Sequence, residues 1–344
     1  MKCFVVYPDG ALGYEDIPAP KCGDYDAVVK MEACGICKGT DSKIIHKTFK
    51  GVDDYPVILG HEGVGRVVEK GPKVTSYNIG DRVLLPFLGG DNVPRGLYSA
   101  WGAYAEYNTV TDAAALERDG RVPDEFMYAQ QTAPIDMDPA CATMLITFRE
   151  VYSTMKIFGF RENCSLVVLG LGPVGLSFVR FAKLIGMRPI IALGRSDDKR
   201  GLAKKFGADY VFDSESADIE KEVAAACPGG ADFALDAVGS NGFINMGLRM
   251  IKPFAKVCVY GISAQMDTQL DWGKTAYNWT LQFNQFPSKK LESEAHAQIL
   301  NWVQLGLLDP SVFISHTFDF PELPEAFAMI ERHEPMLKMA ATFK

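Results

Sequence analysis

The stretch that most constrains the fold is "CSLVVLGLGPVGLSFVRF", in which a buried-strand pattern meets a helical pattern across a glycine-rich turn. Its glycines have G-x-G-x-x-G spacing. In dinucleotide-binding units, glycines so spaced permit a tight turn, close backbone approach to a pyrophosphate and packing of helix on strand. The helix N-terminus then faces the phosphates. The candidate cofactor-binding residues of this turn are Gly170, Gly172, Pro173, Val174 and Gly175.

The context of this turn favours dinucleotide binding over a purely structural turn. Strand-like runs continue downstream in "RPIIALG", "YVFD", "DFALDAVG" and "KVCVYGI", and helical patterns separate them. Such alternation is typical of a parallel sheet with helices on both faces. The sequence therefore predicts a Rossmann doubly wound α/β domain over residues 153–290.

The end of the second strand bears on the choice of cofactor. NAD-binding folds usually place an acidic residue there to hold the ribose 2′-hydroxyl. Here "IIALGRSDDKR" has Gly194, Arg195 and Ser196 at that place. Arg195 and Ser196 can bind a 2′-phosphate, so the pattern predicts NADP in preference to NAD. The alternatives are an ordinary solvated charge cluster, or a free ribose held by Ser196 or Asp197.

The flanking parts of the chain have a different pattern. The first 110 or so residues read as short β-branched runs separated by Gly, Pro, Asp and Asn, which is typical of a compact all-β region. The last 50 residues contain two helical patterns and two extended ones. The sequence therefore predicts a second, mostly β domain formed by residues 1–152 and 291–344.

Two short motifs in the β region carry metal-binding side chains. "MEACGICKGTDSKI" contains Cys34 and Cys37, and "VILGHEGVG" contains His61 and Glu62. Thiolate, imidazole and carboxylate together are a usual ligand set for catalytic zinc. The cysteine pair on its own could equally be a redox couple, half of a zinc knuckle, or one ligand with a bystander.

Taken in order, "GICKGTD", "GHEGVGRVVEKGPKV", "GDRV", "GAYAEY", "GLGPVG" and "KKFGADYVFD" closely resemble the zinc-dependent medium-chain alcohol and polyol dehydrogenases. The resemblance covers nearly the whole chain. It implies a GroES-like catalytic domain beside the Rossmann domain, and usually a dimer or tetramer. It also implies metal ligation by Cys37 and His61, with Glu62 as a ligand or close neighbour. Thr40 would pass a proton from the alcohol, and Asp41 would orient His61. Cys34 is then a buried bystander.

The sequence departs from the family pattern at three places. Two residues, not one, separate Cys37 from Thr40, and residues 87–101 lack the cysteines that bind a structural zinc in many relatives. One zinc ion per chain is therefore expected. The usual third catalytic ligand falls at Ile146. Glu150, one helical turn later, is the predicted replacement, with Asp138 or a site completed by Glu62 and water as alternatives.

The composition narrows the choice of partner and compartment. A formal net charge of −8 provides no basic surface for nucleic acid. Glycines and a proline interrupt the longest apolar stretch, so no membrane segment is predicted. Eight cysteines, mostly isolated, and the absence of a signal-peptide pattern at the N-terminus favour the reducing cytoplasm. A small-molecule substrate is expected.

The sequence thus predicts a zinc-dependent oxidoreductase that transfers a hydride between a secondary alcohol, such as a polyol or sugar, and NADP or NAD. In such enzymes zinc acts as a Lewis acid. The first alternative is a metal-free enone or quinone reductase of the same superfamily. The second is a non-enzymatic dinucleotide-sensing or structural protein. Neither alternative explains why Cys37, His61 and Glu62 occur together.

Overall fold

The structure, a computed structural model, describes all 344 residues. The chain forms two compact units, one of Met1–Arg149 with Ser288–Lys344 and the other of Glu150–Pro287. The strands are β1 (Lys2–Val6), β2 (Leu12–Asp16), β3 (Asp26–Ile36), β4 (Val57–Ile58), β5 (Glu62–Lys70), β6 (Arg82–Leu84), β7 (Tyr98–Ser99), β8 (Tyr107–Thr111), β9 (Thr132–Ala133), β10 (Leu166–Leu169), β11 (Ile190–Leu193), β12 (Tyr210–Phe212), β13 (Ala231–Asp236), β14 (Ile251–Val259), β15 (Thr280–Phe283), β16 (Ile314–Asp319) and β17 (Lys338–Thr342).

Nine α-helices connect these strands, and no helix is long and apolar enough to cross a membrane. The helices are α1 (Lys38–Ile45), α2 (Ala113–Arg118), α3 (Pro139–Phe158), α4 (Pro173–Leu184), α5 (Asp197–Phe206), α6 (Ile219–Ala226), α7 (Asn241–Leu248), α8 (Lys289–Gln304) and α9 (Leu323–Glu331).

The first unit contains two sheets. One has the order β2-β1-β4-β7, and the other has the order β16-β17-β3-β5-β6-β9 with β8 also paired to β3. In the larger sheet the long strand β3 pairs antiparallel with β5 on one side, where Gly35 faces Glu62, and with β17 on the other, where Ile36 faces Met339. The start of β5 and the start of β17 therefore flank the end of β3. This register positions the candidate active site.

The second unit is a six-stranded parallel sheet with the order β12-β11-β10-β13-β14-β15. The central strands β10 and β11 are buried along their whole length. Buried parallel strands need apolar side chains on both faces, which explains the continuous runs "LVVL" and "IIAL". Burial of each such side chain contributes roughly 1.5–3 kcal/mol. The spatial order of the strands in this sheet, β12-β11-β10 on one side and β13-β14-β15 on the other, is that of a doubly wound nucleotide-binding fold. The predicted fold class, α/β with a GroES-like unit and a Rossmann unit, is confirmed.

Candidate active site

Cys37 lies at the point where β3 gives way to α1. It is the residue that caps the helix N-terminus, and α1 begins at Lys38. One full helical turn separates it from Asp41, whose amide donates to the Cys37 carbonyl oxygen at 2.8 Å. In return, Asp41 Oδ2 accepts from the Cys37 amide at 3.0 Å. The additional residue in "CKGTD" is therefore accommodated by this turn.

His61 follows β4 and immediately precedes β5, and its side chain is 18% exposed. Its Nδ1 lies 3.5 Å from Oδ1 of Asp41, which is fully buried. The other Asp41 oxygen accepts from the hydroxyl of buried Tyr104 at 2.9 Å. Burial alone would lower the pKa of His61, but the contacts with Asp41 and Cys37 raise that pKa well above its usual value. Asp41 thus lies on the Nδ1 side of the imidazole, where a carboxylate can orient a metal-binding histidine.

Glu62 is only 5% exposed and forms an ion pair with Lys338, which is 4% exposed. Thr147 Oγ1 donates to the other carboxylate oxygen at 3.2 Å. Burial raises the pKa of Glu62, but Lys338, His61 and Thr147 together outweigh burial, and the net change in pKa is downward. Gly35 makes room for the pair, because a Cβ there would lie 2.2 Å from Glu62 Oε2.

The structure brings Cys37, His61 and Glu62 together. One possible ligand atom from each lies within 4.8 Å of the others. Zinc binds sulfur, nitrogen and oxygen at about 2.0–2.3 Å, so a common ion requires only small side-chain movements. The donor set fits zinc. Asp41 Oδ1 and His61 Nδ1 are buried, have no hydrogen-bond partner and lie 3.5 Å apart, so small movements would pair them as the support of a metal-bound histidine.

An aromatic wall lies beside this group. The Trp101 ring centroid is 5.4 Å from that of His61, and Phe49 packs edge-on against Trp101 at 6.2 Å. Trp101 has a left-handed backbone with φ of 68°. The amides of Ala100 and Ala103 donate to the carbonyl oxygens of Ile58 and Gly60, just before His61. These hydrogen bonds hold the backbone on either side of Trp101. The wall gives the site an apolar side.

The other predicted site residues of this region lie outside the group of Cys37, His61 and Glu62. Thr40 is buried in the first turn of α1, and Cys34 is fully buried inside β3. The carboxylate of Asp138 accepts from the Cys141 amide at 3.0 Å at the start of α3, so it serves as a helix cap. Glu150 belongs to the second unit, and its role as a metal ligand stays a prediction.

The glycine fingerprint has the backbone geometry that its spacing predicts. Gly170 has φ of +100°, and Gly172 is the cap residue of α4, with Pro173 in its first turn. A Cβ on Gly175 would lie 1.9 Å from the Gly170 carbonyl oxygen. No larger residue fits at that contact of helix and turn. Gly172 has open space around its Cβ position, as close approach of a phosphate requires.

The turn after β11 contains the predicted residues Gly194, Arg195 and Ser196. A Cβ on Gly194 would lie 2.8 Å from Leu171 Cδ1, so glycine is also required for packing. Arg195 is 79% exposed and 3.7 Å from the exposed Glu215. The sequence reading missed Arg200, whose guanidinium donates to the carbonyl oxygens of Gly194 and Arg195 at 2.6 and 2.8 Å and fixes the turn.

Sequence reasoning also missed Lys338 and Tyr104. Lys338 was visible as a lone charge at the head of the apolar strand "LKMAATF", which signals a buried partner. Tyr104 was visible in "GAYAEY", but a tyrosine in a β region carries no specific signal. Contacts between Lys338 and Glu62 depend on strand order, which local patterns do not determine.

A GroES-like unit with this ligand group and a Rossmann unit with this fingerprint define a medium-chain dehydrogenase. Comparisons agree. The alcohol dehydrogenase GroES-like domain family matches residues 23–120, and the zinc-binding dehydrogenase family matches residues 173–287. Together they match more than half of the chain. The chain belongs to the zinc-dependent medium-chain dehydrogenase family, and its homologues support an oxidoreductase that acts on alcohols.

Individual relatives are distant but cover nearly the full length. The NADP-dependent isopropanol dehydrogenase of Thermoanaerobacter brockii is 27% identical over 96% of both chains. The sorbitol dehydrogenase of Halalkalibacterium halodurans is 26% identical over 94% of both. Among solved structures, the alcohol dehydrogenase TADH from Thermus sp. ATN1 has a TM-score of 0.80 at 22% identity and is covered completely, as is this chain. That structural likeness shows the same fold.

Proposed function

We propose that this chain is a zinc-dependent dehydrogenase that oxidises a secondary alcohol by transferring a hydride to a nicotinamide dinucleotide. The observation that carries the proposal is the group of Cys37, His61 and Glu62, with ligand atoms within 4.8 Å of one another. The buried carboxylate of Asp41 lies 3.5 Å from His61 Nδ1 on the core side of this group. A metal-free enone or quinone reductase has no use for these side chains together, so that alternative is disfavoured.

In this proposal Cys37, His61 and Glu62 hold the metal, and one position stays open for substrate. When bound, zinc supplies a Lewis acid that lowers the pKa of a substrate hydroxyl. The chain's own residues keep the ligands in place. Asp41 orients the imidazole of His61, and Lys338 neutralises the carboxylate of Glu62. Thr40, in the first turn of α1, is proposed to accept the hydroxyl proton.

The third ligand distinguishes this chain from the usual pattern, because Ile146 stands at the position that would supply it. Glu62 has the strongest support, since its carboxylate belongs to the ligand group. Asp138 is weakened as a candidate because its carboxylate already caps α3. Glu150 stays a candidate from the sequence, through direct contact or through a water.

We further propose that NADP is bound in preference to NAD. Gly194 supplies no carboxylate to repel a 2′-phosphate, and Arg195 is 79% exposed, with its guanidinium paired to the exposed Glu215 at 3.7 Å. Arg200 gives the turn a fixed shape. The NADP dependence of the Thermoanaerobacter brockii relative supports the same choice.

The substrate class predicted from the sequence is a polyol or sugar, and the sorbitol dehydrogenase relative supports it. The isopropanol dehydrogenase relative and the aromatic wall of Trp101 support a short alkyl alcohol as the competing choice. A homo-oligomer, dimer or tetramer, is also proposed. Its support is the strand β15 at the end of its sheet, with the exposed aromatic residues Phe283 and Phe286 beside it.

Two measurements on purified protein test the proposal. Elemental analysis should give one zinc ion per chain, and a screen of sugar alcohols, short secondary alcohols and their ketones with NAD and NADP should give turnover. Cys37→Ser should lose zinc and activity while retaining cofactor binding. Cys34→Ala is the matched control, because it removes a neighbouring thiol that is not a proposed ligand. Full activity of Cys37→Ser, or of metal-free protein, would contradict the proposal.

A further inference from the structure

Asp236 is the last residue of β13 and is fully buried, yet the donors to its carboxylate are backbone amides and not a cationic side chain. It accepts instead from three successive backbone amides. Oδ1 accepts from Val238 and Gly239 at 2.9 and 3.0 Å, and Oδ2 accepts from Ser240 at 3.0 Å. One buried side chain therefore determines the path of the whole loop that follows β13.

The backbone of Asp236 fixes a second loop. Its carbonyl oxygen accepts from the amides of Tyr260 and Gly261, both at 3.0 Å, in the loop that follows β14. The two loops also meet backbone to backbone, because a Cβ on Gly261 would lie 1.9 Å from the Gly239 amide nitrogen. Five hydrogen bonds on one residue thus connect two loops that have no room for side chains at their contact.

These loops lie at the carboxyl ends of the parallel strands, where doubly wound folds bind their ligands. The amide of Ala237 donates to the Leu169 carbonyl oxygen at 3.0 Å, just before the glycine fingerprint. Val238 Cγ2 lies only 2.1 Å from the Cβ position of Gly170, while 51% of Val238 remains exposed. The loop that Asp236 holds is therefore in contact with the first fingerprint glycine.

We propose that Asp236 is a positioning residue of the cofactor site: its ionised carboxylate holds the loop of residues 237–240 against Gly170 in the shape that the dinucleotide requires. This proposal rests on the proposed function only in assuming that the fingerprint binds a dinucleotide. Asp236 touches neither substrate nor metal in this role. It acts through the three amides and through Val238.

The protonation state of Asp236 should then affect cofactor binding. A protonated carboxyl would place a hydrogen between one oxygen and an amide donor, so at least one amide would lose its acceptor. Burial raises the pKa of Asp236 to about 6, against the lowering effect of the three amides. Those amides, of Val238, Gly239 and Ser240, are what faces the carboxylate, and no charged group contributes to the shift.

Affinity and stability should respond to pH in opposite directions. The unfolded chain ionises this carboxyl near pH 3.9, so the stabilising contribution of Asp236 decreases as pH rises from about 4 to 6. Cofactor affinity should instead increase as pH rises through 6. If only the ionised form binds, affinity at pH 5 is roughly tenfold below that at pH 7. A purely structural role would not give this second profile.

Calorimetric titration of the zinc-loaded protein with NAD⁺ from pH 5 to 8 tests the proposal. NAD⁺ is the probe because the 2′-phosphate of NADP itself titrates near pH 6. All five histidines lie outside Glu150–Pro287, so they cannot supply the profile from within this unit. A flat wild-type profile between pH 5 and 7 would overturn the proposal, whatever the variants do.

Asp236→Asn should bind NAD⁺ roughly tenfold more weakly at pH 7.5 and show no pH dependence between 5 and 7. Asp232→Asn is the matched control at the opposite end of β13, where Asp232 accepts from the Ser165 amide and pairs with Lys252. It should keep the wild-type affinity and profile. Wild-type affinity and profile in Asp236→Asn would refute the role of Asp236. Failure of the wild-type protein to bind either NAD or NADP would refute the proposed function as well.

Discussion

Replacing Lys338 with methionine tests the charge arrangement of the proposed metal site. Methionine has a similar unbranched chain but no ammonium group, so Lys338→Met leaves the Glu62 carboxylate buried without its cation. Only the Thr147 hydroxyl would still donate to that carboxylate. Both members of the ion pair are at most 5% exposed, so water cannot replace the lost partner without local opening.

The expected loss can be estimated from this burial. Removing one partner of a buried ion pair typically costs about 3–5 kcal/mol, because the other charge is left uncompensated. In a unit of this size each kcal/mol lowers the melting temperature by about 2–4 °C. The zinc-free variant should therefore melt about 6–20 °C below the zinc-free wild type. In the proposed site zinc would supply positive charge beside Glu62, so the difference between zinc-loaded proteins should be less than half as large.

Scanning calorimetry with chelator and with zinc measures both differences. Lys344→Met is the matched control, since Lys344 pairs with Asp319 at the exposed surface, and it should leave the melting temperature unchanged. Adding Glu62→Gln to Lys338→Met should recover much of the loss in zinc-free protein, because the buried charge is then gone. Equal losses with and without zinc would refute the idea that Glu62 faces the metal.

Three further predictions follow from the site. Arg195→Ala should weaken NADP binding about 10- to 100-fold, the range of one charge-assisted contact, and leave NAD unchanged; a preference for NAD in wild-type kinetics would contradict this. Tyr104→Phe removes one hydrogen bond to buried Asp41 and should destabilise the protein by roughly 1–3 kcal/mol in urea unfolding, whereas an unchanged midpoint would show that the contact contributes nothing. Glu150→Ala should lower zinc affinity at least about 10-fold if Glu150 is a ligand, and unchanged affinity with normal activity would exclude it.

The parallel sheet could be predicted because its physical cause is local. Strands covered on both faces need continuous apolar runs, and such runs appear in the sequence as "LVVL" and "IIAL". The fingerprint is equally local, since Gly170 and Gly175 meet within a single turn. Cys37, His61 and Glu62 could be grouped only through resemblance, because nothing in their spacing places β5 beside the end of β3.

The residues that support the site could not be predicted for the same reason. Lys338 reaches Glu62 because β17 and β5 flank β3, and this strand order is set by the packing of the whole unit. Asp236 was read only as part of the strand "DFALDAVG". Its importance appears when its carboxylate is seen to accept three amides. Sequence patterns thus identify side chains that perform chemistry more readily than those that hold them.

Helix α3 bears on the identity of the third ligand of the proposed metal site. The family resemblance places the usual third ligand at Ile146, and Ile146 is a buried apolar residue of α3. The next residue, Thr147, donates to Glu62. Helix α3 therefore contributes a hydrogen bond to a carboxylate that lies within reach of Cys37 and His61. The apolar Ile146, the buried carboxylate of Glu62 and the lysine that pairs with it are consistent with one another, because Thr147 and Lys338 together hold Glu62 where it can serve as the third ligand of the proposed site.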